Sequence, residues 1–176
     1  MTSNDRVSAL LDDLEMQADG LYLDDRDREV EALAEAGYAE IALVARVAAS
    51  AGLRLRVGLT DGTDVAGDLC GYGAGWLLLD AGEAVWLVPI AGVVLVEGLG
   101  PGSVPESSRP RTARLTIGSV LRRLAGDGGS CVLRLLGGRL VRGALLRVGA
   151  DFVVVGSGEV EVTVPLGALV AVGGPR

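Results

Sequence analysis

The chain contains one pattern twice, and this internal repeat constrains the fold more than any other feature of the sequence. When the chain is aligned with itself at an offset of 76 residues, residues 55–98 match residues 131–174 without a gap, and 14 of the 44 positions are identical. Glycine and proline share this register in the pairs Gly62 and Gly138, Gly67 and Gly143, Gly73 and Gly149, Gly82 and Gly158, and Pro89 and Pro165. A repeat of this kind predicts two similar structural units that arose by duplication of one segment.

Each copy predicts five short strands. In the first copy, LRLRVGL (53–59) alternates apolar and polar residues, which is typical of a half-buried strand. Asp61-Gly62 predicts a tight hairpin turn, because glycine tolerates positive φ. Gly67 lies inside the next strand, where a glycine marks a sharp bend of the kind that curls a small sheet. The sequence therefore predicts a mainly β fold with two tandem five-stranded barrels.

Helical periodicity precedes each copy. Apolar residues recur at helical spacing in residues 5–17 and 27–51, and again from Ile117 to Leu124, so we expect N-terminal helices and one helix before each barrel. Proline, serine and glycine in residues 98–114 predict an exposed, mobile linker. The resulting α+β organisation has four parts, which are an acidic helical region at 1–52, a first barrel at 53–98, a linker at 99–114, and a helix with the second barrel at 115–174.

The composition argues against several kinds of chemistry. The chain has no histidine, and its two cysteines, Cys70 and Cys131, lie in apolar strand-like runs. We expect both to be small buried core residues, because a zinc site needs about four ligands and no disulfide framework is indicated. Without histidine the commonest general base is missing, and Asp61, Asp64 and Asp68 are expected on a solvated hairpin surface. The sequence predicts a protein that is not an enzyme and has no metal or cofactor.

Charge is distributed unevenly along the chain. The formal net charge is −7, made up of −8 in residues 1–50, −4 in residues 51–100 and +5 in residues 101–176, and all 16 basic residues are arginine. Acidic and basic regions of this kind can attract each other, within the chain or between chains, but solvated faces without a role are the favoured interpretation, because exposed charge pairs are usually weak. The first residues lack the pattern of a signal peptide, and the apolar runs are too short to span a membrane. A cytoplasmic, bacterial protein without membrane contacts is expected.

The first hairpin resembles that of a known family. The pattern D-G-x-x-x-x-G-x-L stands as DGTDVAGDL (61–69) and, less completely, as GGRLVRGAL (137–145), and a helix followed by five bent strands resembles the Sm-like fold. This resemblance covers roughly 53–98 and 129–174 with the helix before each. It implies rings in which strand 4 of one barrel pairs with strand 5 of the next. The layout is also similar to actinobacterial proteins that join an acidic helical N-terminus to paired barrels.

The RNA pocket of the Sm-like family is not retained in this sequence. The resemblance implies an Asp and an Asn between strands 2 and 3, but the matching positions are Gly73 and Leu77 in the first copy and Gly149 and Val153 in the second. A second family contact uses a basic residue between strands 4 and 5, where this chain reads VPIAG and VPLGA. The fold can therefore carry over without the RNA site.

Two surfaces are predicted to take part in binding. The segment AVWLV (84–88) is apolar on both faces of a strand, so we expect the second barrel, a helix or another chain to cover it. The predicted interaction edge comprises Val85, Trp86, Leu87, Val94 and Val96. The predicted patch for nucleic acid or an acidic partner comprises Arg122, Arg123, Arg139, Arg142, Arg147 and Tyr72. These surfaces favour a non-enzymatic assembly module that acts through a protein partner or self-association, with RNA binding as the alternative and no small-molecule substrate indicated.

Overall fold

The fold is mainly β, as predicted. The computed structural model describes Glu35, residues 37–126 and residues 128–175. Its contacts divide the chain into two units, Met1–Ile41 and Ala42–Arg176, and every strand within the described residues belongs to the second unit.

The predicted N-terminal helices are only partly within the described residues. The helix at 5–17 and the first part of the helix at 27–51 lie outside them. The remainder of 27–51 is not one continuous helix, because residues 37–39 are helical, the backbone of Ala42 is extended, with ψ at 147°, and a separate helix begins at Leu43. The prediction of one uninterrupted helix over this range was therefore wrong.

Two similar sets of elements follow one another in the second unit. The first set contains α1 (Leu43–Ala49), β1 (Arg54–Leu59), β2 (Asp64–Gly73), β3 (Trp76–Asp80), β4 (Ala84–Pro89), a 3-10 turn (Ile90–Gly92) and β5 (Val93–Glu97). The second contains α2 (Ile117–Gly126), β6 (Ser130–Leu135), β7 (Leu140–Val148), β8 (Phe152–Ser157), β9 (Val160–Pro165), a 3-10 turn (Leu166–Ala168) and β10 (Leu169–Pro175). We call residues 54–97 the first half of the sheet and residues 130–175 the second half.

The predicted linker is more ordered than expected. It contains two short 3-10 turns, Glu106–Ser108 and Arg111–Arg114, and Ala113 is buried. The Val104 N–H donates to the carbonyl of Ala45 over 2.9 Å. The Trp76 Nε1–H donates to the carbonyl of Leu115 over 2.7 Å, just beyond the linker. These hydrogen bonds attach the segment to α1 and to β3.

All ten strands form one antiparallel sheet, in the order β5-β1-β2-β3-β4-β10-β6-β7-β8-β9. The first half reads β5-β1-β2-β3-β4, and the second half has the same order, β10-β6-β7-β8-β9. The halves meet where β4 pairs with β10. In the described part of the chain, β5 and β9 have a neighbour on one side only, so the sheet is open at these two strands.

Residues 76 positions apart have matching geometry in the two halves. Leu55 pairs with Gly67, and Cys131 pairs with Gly143. Hydrogen bonds match as well, from Leu59 to Thr63 and Leu135 to Arg139, and from Ile90 to Gly75 and Leu166 to Asp151. Register shifts fall at Leu69/Gly71 in the first half and at Leu145/Arg147 in the second. The positive-φ glycines include the matched pairs Gly52 and Gly128, Gly62 and Gly138, and Gly82 and Gly158.

Two of the predicted bends depend on the absence of a side chain. A Cβ at Gly67 would lie 2.6 Å from the carbonyl oxygen of Asp80, and a Cβ at Gly143 would collide with the carbonyl oxygen of Gly156. Only glycine lets the neighbouring strand approach so closely. The glycines that the sequence analysis identified as bends are therefore required by the packing of β2 on β3 and of β7 on β8.

The two halves do not form two separately closed barrels, which corrects the prediction. The pairing of β4 with β10 makes the sheet continuous, and the cores interlock across it. Trp76 and Leu87 from the first half belong to the hydrophobic cluster of the second half. Val170 and Ala171 from β10 belong to the cluster of the first half. The physical reason is that β4 is apolar on both faces and lies between the two cores, with Leu87 in the cluster of the second half and Val88 in that of the first, while β10 pairs with its edge.

Candidate assembly interface

The junction between the halves is the pairing of β4 with β10. Leu87 lies opposite Val172, and Trp86 lies opposite Gly173. A Cβ at Gly173 would lie 2.7 Å from the Trp86 ring, so the indole packs closely against a backbone that has no side chain. Leu87 is buried, whereas Val85 and Trp86 are half-buried. These three residues of the predicted interaction edge thus make their strand contact within the chain.

An arginine from the second half closes this junction. The Arg134 guanidinium lies over the Trp86 ring, with its carbon 4.9 Å from the ring centroid. Its Nη1 donates to the Thr63 Oγ1 over 2.6 Å. The same nitrogen lies 3.5 Å from Oδ2 of Asp61. A cation above an aromatic face and beside a shielded carboxylate is a favourable arrangement, and here it joins β6 to the β1–β2 turn.

Asp61 was predicted on a solvated surface, and this prediction was wrong. Its side chain is only 2% exposed. Oδ1 accepts hydrogen bonds from the Thr63 N–H and from the Thr63 hydroxyl. Burial by itself raises the pKa of Asp61, but the two hydrogen bonds from Thr63 and the charge of Arg134 together hold that pKa below its ordinary value. Asp61 is therefore an ionised member of the junction.

The other two hairpin carboxylates are exposed, as predicted. The Arg56 Nη2 lies 2.6 Å from Oδ2 of Asp64, and the Arg54 Nη1 lies 3.7 Å from Oδ1 of Asp68. Both pairs are largely in solvent, where an ion pair contributes little to stability. Sequence reasoning could not separate Asp61 from these neighbours, because its partner Arg134 is distant in the chain. Arg134 itself was not among the predicted site residues.

The two open ends of the sheet differ from the junction in exposure. Val94 and Leu95 on β5 are 64% and 47% exposed. Their counterparts in the second half, Val170 and Ala171 on β10, are both 0% exposed because the first half covers them. Val96, the other β5 member of the predicted edge, is half-buried. The fifth strand of each half thus differs in exposure, because β10 is covered and β5 is exposed.

The opposite open end, β9, is more polar than its counterpart β4. Val160 is exposed, and the exposed Glu161 accepts a 2.6 Å hydrogen bond from Arg147 on β7. Val162 is half-buried and Thr163 is exposed. This pattern fits a strand with one wet face, as the sequence indicated.

Part of the predicted basic patch surrounds an open groove of 890 Å³ between α2 and the β7–β8 connection. Arg122 and Arg147 line this groove together with Phe152. The Arg122 Nη1 approaches the Gly149 carbonyl oxygen at 3.5 Å. Phe152 packs over Gly149, where an added Cβ would lie 2.5 Å from the ring. The groove therefore combines two cationic side chains with an accessible aromatic surface.

The remaining members of the predicted patch do not join this groove. Arg123 lies on α2, Arg139 precedes β7, and Arg142 lies on β7, all with exposed side chains. Tyr72 is on β2, and four strands separate β2 from β7 in the order of the sheet. It lines a different pocket, with Trp76 and Pro110. The structure thus places Tyr72 apart from the arginines.

The two cysteines lie in different environments. Cys131 is buried, as predicted, whereas Cys70 is exposed and its Sγ lies 3.4 Å from the carbonyl oxygen of Leu78. The alternation of β2 could have revealed this, because Val65 and Leu69 face the core and Cys70 therefore falls on the opposite face. Burial raises the pKa of the Cys131 thiol, and a backbone hydrogen bond with Leu145 offsets part of that rise.

A comparison with protein-family models finds no match, and no curated protein is detectably similar to the chain. Within the described residues, no helix has both the length and the apolar character needed to cross a membrane.

Proposed function

We propose that this protein is a non-enzymatic assembly module made of two Sm-like units fused through one sheet, and that it associates with further copies of itself. The identical strand order of the halves and their matched glycines, turns and register shifts support descent from one duplicated unit. The pairing of β4 with β10 at the internal junction shows one way in which two such units join. Strand pairing between edges is also a common basis of protein assembly.

The exposure of Val94 and Leu95 is the observation that carries the proposal. Apolar side chains at an open sheet edge invite pairing with another chain, and natural proteins usually protect such edges. In the second half, the equivalent positions are completely covered by the first half of the same molecule. A second copy that presents its β9 would cover β5 in the same way.

The internal junction also indicates the register of this contact. At the junction, Leu87 on β4 pairs with Val172 on β10. The repeat counterpart of Leu87 is Thr163 on β9, and that of Val172 is Val96 on β5. In the same register, Thr163 of one copy would therefore lie opposite Val96 of the next. In the same register Val162 would lie opposite Glu97. Because β9 and β5 are different surfaces, the contact is heterologous, and repetition yields either a closed ring or an open filament.

One position predicts that the contact between copies is weaker than the internal junction. Gly92 lies against β10, where an added Cβ would be 2.8 Å from the Val170 carbonyl oxygen. The counterpart of Gly92 in the second half is Ala168, which carries that Cβ. The strands have to shift locally to accommodate it. We therefore expect reversible association that depends on concentration.

Light scattering of the purified full-length chain across a concentration series tests the proposal. We expect the mean mass to rise with concentration, and Val94→Lys to keep the chain monomeric by placing a charge on the edge. Leu146→Lys is the matched control, because Leu146 is exposed on β7, which has a neighbouring strand on both sides. A wild-type chain that stays monomeric at every concentration, or equal effects of the two variants, would refute self-association.

Binding of single-stranded nucleic acid is the second candidate function, and the groove beside Phe152 favours it. Arginine and an accessible aromatic ring are the groups that hold unpaired bases and phosphates. Arg147 is already engaged by Glu161, which reduces the positive charge available there. Fluorescence anisotropy with labelled oligouridine at low salt tests this function, with Arg122→Gln as the variant expected to weaken binding. Absence of binding to the wild-type chain would exclude it.

A further inference from the structure

The junction between the halves contains a second feature, which is a partly enclosed cavity of 320 Å³. Both halves contribute to its wall, and among the residues that the structure describes no charged side chain lines it. Its apolar lining includes Leu78, Leu87, Leu124, Cys131, Leu145 and Val172. The cavity therefore lies between β4, β10 and the helix α2, at a distance in the fold from the open edges β5 and β9.

At two positions of the cavity wall, Gly129 and Gly174, the absence of a side chain leaves free space. Gly129, Gly173 and Gly174 all lie in its wall. A Cβ at Gly129 would meet nothing within 4 Å, and a Cβ at Gly174 would meet only the Ser130 carbonyl oxygen, at 3.8 Å. The lining includes exposed residues, among them Leu124 and Pro175, and buried ones, Leu87, Leu145 and Val172, so the cavity is a pocket that opens to solvent. A concave, mostly apolar pocket with a few polar groups is the usual form of a small-molecule site.

The size and the lining define what would fit. An apolar cavity of about 150 Å³ is enough to bind benzene, so a space about twice as large suits a molecule of roughly two fused rings, or an alkyl chain of the same volume. Its polar side chains are the hydroxyl of Ser130 and the thiol of Cys131. Since burial raises the pKa of the Cys131 thiol, that group is neutral at physiological pH. Among the described lining residues, a charged ligand group would find no counter-ion.

We propose that this cavity is a binding site for a neutral, apolar small molecule of about two fused rings. The proposal does not depend on self-association, because every wall of the site comes from one chain. A ligand here contacts both halves at once. It therefore stabilises the folded chain by mass action and, in particular, the packing of β4 against β10.

Fluorescence titration of the full-length chain with 1-naphthol tests the proposal, because emission from the neutral form of this two-ring molecule rises when it leaves water. We expect saturable binding to the wild-type chain and an increase in the melting temperature. The carboxylate analogue 1-naphthoate should bind at least about tenfold more weakly, because none of the described lining residues is a cation. Equal binding of the two molecules would contradict the assigned ligand class.

Two variants locate the binding site. Leu124→Trp fills the cavity from α2, and Leu124 is exposed enough that the larger side chain can be tolerated. Leu146→Trp is the matched control, because Leu146 has similar exposure but lines the groove beside Phe152. We expect Leu124→Trp to lower 1-naphthol affinity about tenfold or more and Leu146→Trp to leave it unchanged. Absence of saturable binding to the wild-type chain, or unchanged binding to Leu124→Trp, would overturn the proposal.

Discussion

The internal junction and the open ends of the sheet are formed by equivalent strands, which are the fourth and the fifth strand of each half. At the junction, β4 pairs with β10, whereas the corresponding strands β9 and β5 each lack a neighbour on one side in the described part of the chain. Val170 and Ala171 on β10 are fully buried, and their counterparts Val94 and Leu95 are exposed. The comparison shows that identical topology does not settle which edges are covered. Local side chains decide it.

The side chains that stabilise the junction are missing at the ends. Trp86 corresponds to Val162, Arg134 to Gly58, Asp61 to Gly137, and Gly173 to Glu97. The stacking of Arg134 on Trp86 and its contact with Asp61 thus have no equivalent between two copies. One pair of these strands is therefore joined within the fold, and the other pair remains as two open edges in the described part of the chain.

We expect the largest loss of stability when a core side chain is removed at the junction. Leu87→Ala leaves a cavity at the buried junction and should lower the free energy of unfolding by about 3 kcal/mol. Its counterpart Thr163 is exposed on β9, so Thr163→Ala should change stability by less than about 0.5 kcal/mol. Urea denaturation of dilute protein measures both values. Similar losses at the two positions would contradict the proposed difference between junction and edge.

The second effect concerns the charged group at the junction. Asp61→Ala should lower the free energy of unfolding by about 2 kcal/mol, because it removes three hydrogen-bonding or ionic contacts of a buried carboxylate. Asp64→Ala should lower it only slightly, because the ion pair of Asp64 is exposed. Denaturation at neutral pH compares them. Equal losses of unfolding free energy for the two variants would show that Asp61 contributes no more to stability than an exposed carboxylate does.

The same carboxylate should contribute to acid denaturation. The pKa of Asp61 is lowered in the folded state, so the native state binds fewer protons than the unfolded state near that pKa. Its contribution to stability is then present above the ordinary pKa of 3.8 and is lost as the pH falls through the lower, folded value. Asp61→Asn should flatten the dependence of stability on pH below this point. An unchanged acid profile would contradict the assignment.

A smaller effect is expected where β10 accommodates the Trp86 ring. Gly173→Ala introduces a methyl group that meets the indole, and should cost about 1.5 kcal/mol. Trp86→Leu in the same chain should recover part of this loss, because the clash is removed. A double-mutant cycle of unfolding free energies measures the coupling. Additive losses would show that the two residues do not share the contact described.

The smallest effect should appear at the open end. Ala168→Gly removes the methyl group that distinguishes the second half from Gly92, and should strengthen association between copies by about 1 kcal/mol, or roughly fivefold in the dissociation constant. Sedimentation velocity measures the change. Val94→Lys in the same background is the control and should abolish the gain. Weaker association of Ala168→Gly would contradict the register inferred from the junction.

The repeat and its glycines made much of this fold predictable. The segment predicted at 53–59 appears as β1 (Arg54–Leu59), and the helical spacing from Ile117 appears as α2. Gly62 has positive φ, and Gly67 allows the close approach of β3, both as predicted. These features could be inferred because turns and bends depend on residues that are adjacent in the chain.

The junction could not be predicted to the same degree. The sequence shows that AVWLV needs a cover, but a second half with the same strands and a second copy of the chain satisfy that need equally well. The burial of Asp61 depends on Arg134, which lies in the other half, and local pattern does not connect them. Tyr72 and the arginines were grouped by chemistry alone, whereas the strand order separates them.

Disulfide trapping between copies tests directly whether β9 of one copy pairs with β5 of the next. Cysteines are placed at Thr163 and Val96 in a chain whose native cysteines are replaced by serine, because opposed residues of antiparallel strands lie at about 4.5–5.5 Å, within the span of a disulfide. Oxidation should give a ladder of covalent multimers, and pairing Thr163→Cys with Gly98→Cys, two residues out of register, should give far fewer. Monomers from the in-register variant, or equal ladders from both, would contradict assembly of β9 on β5.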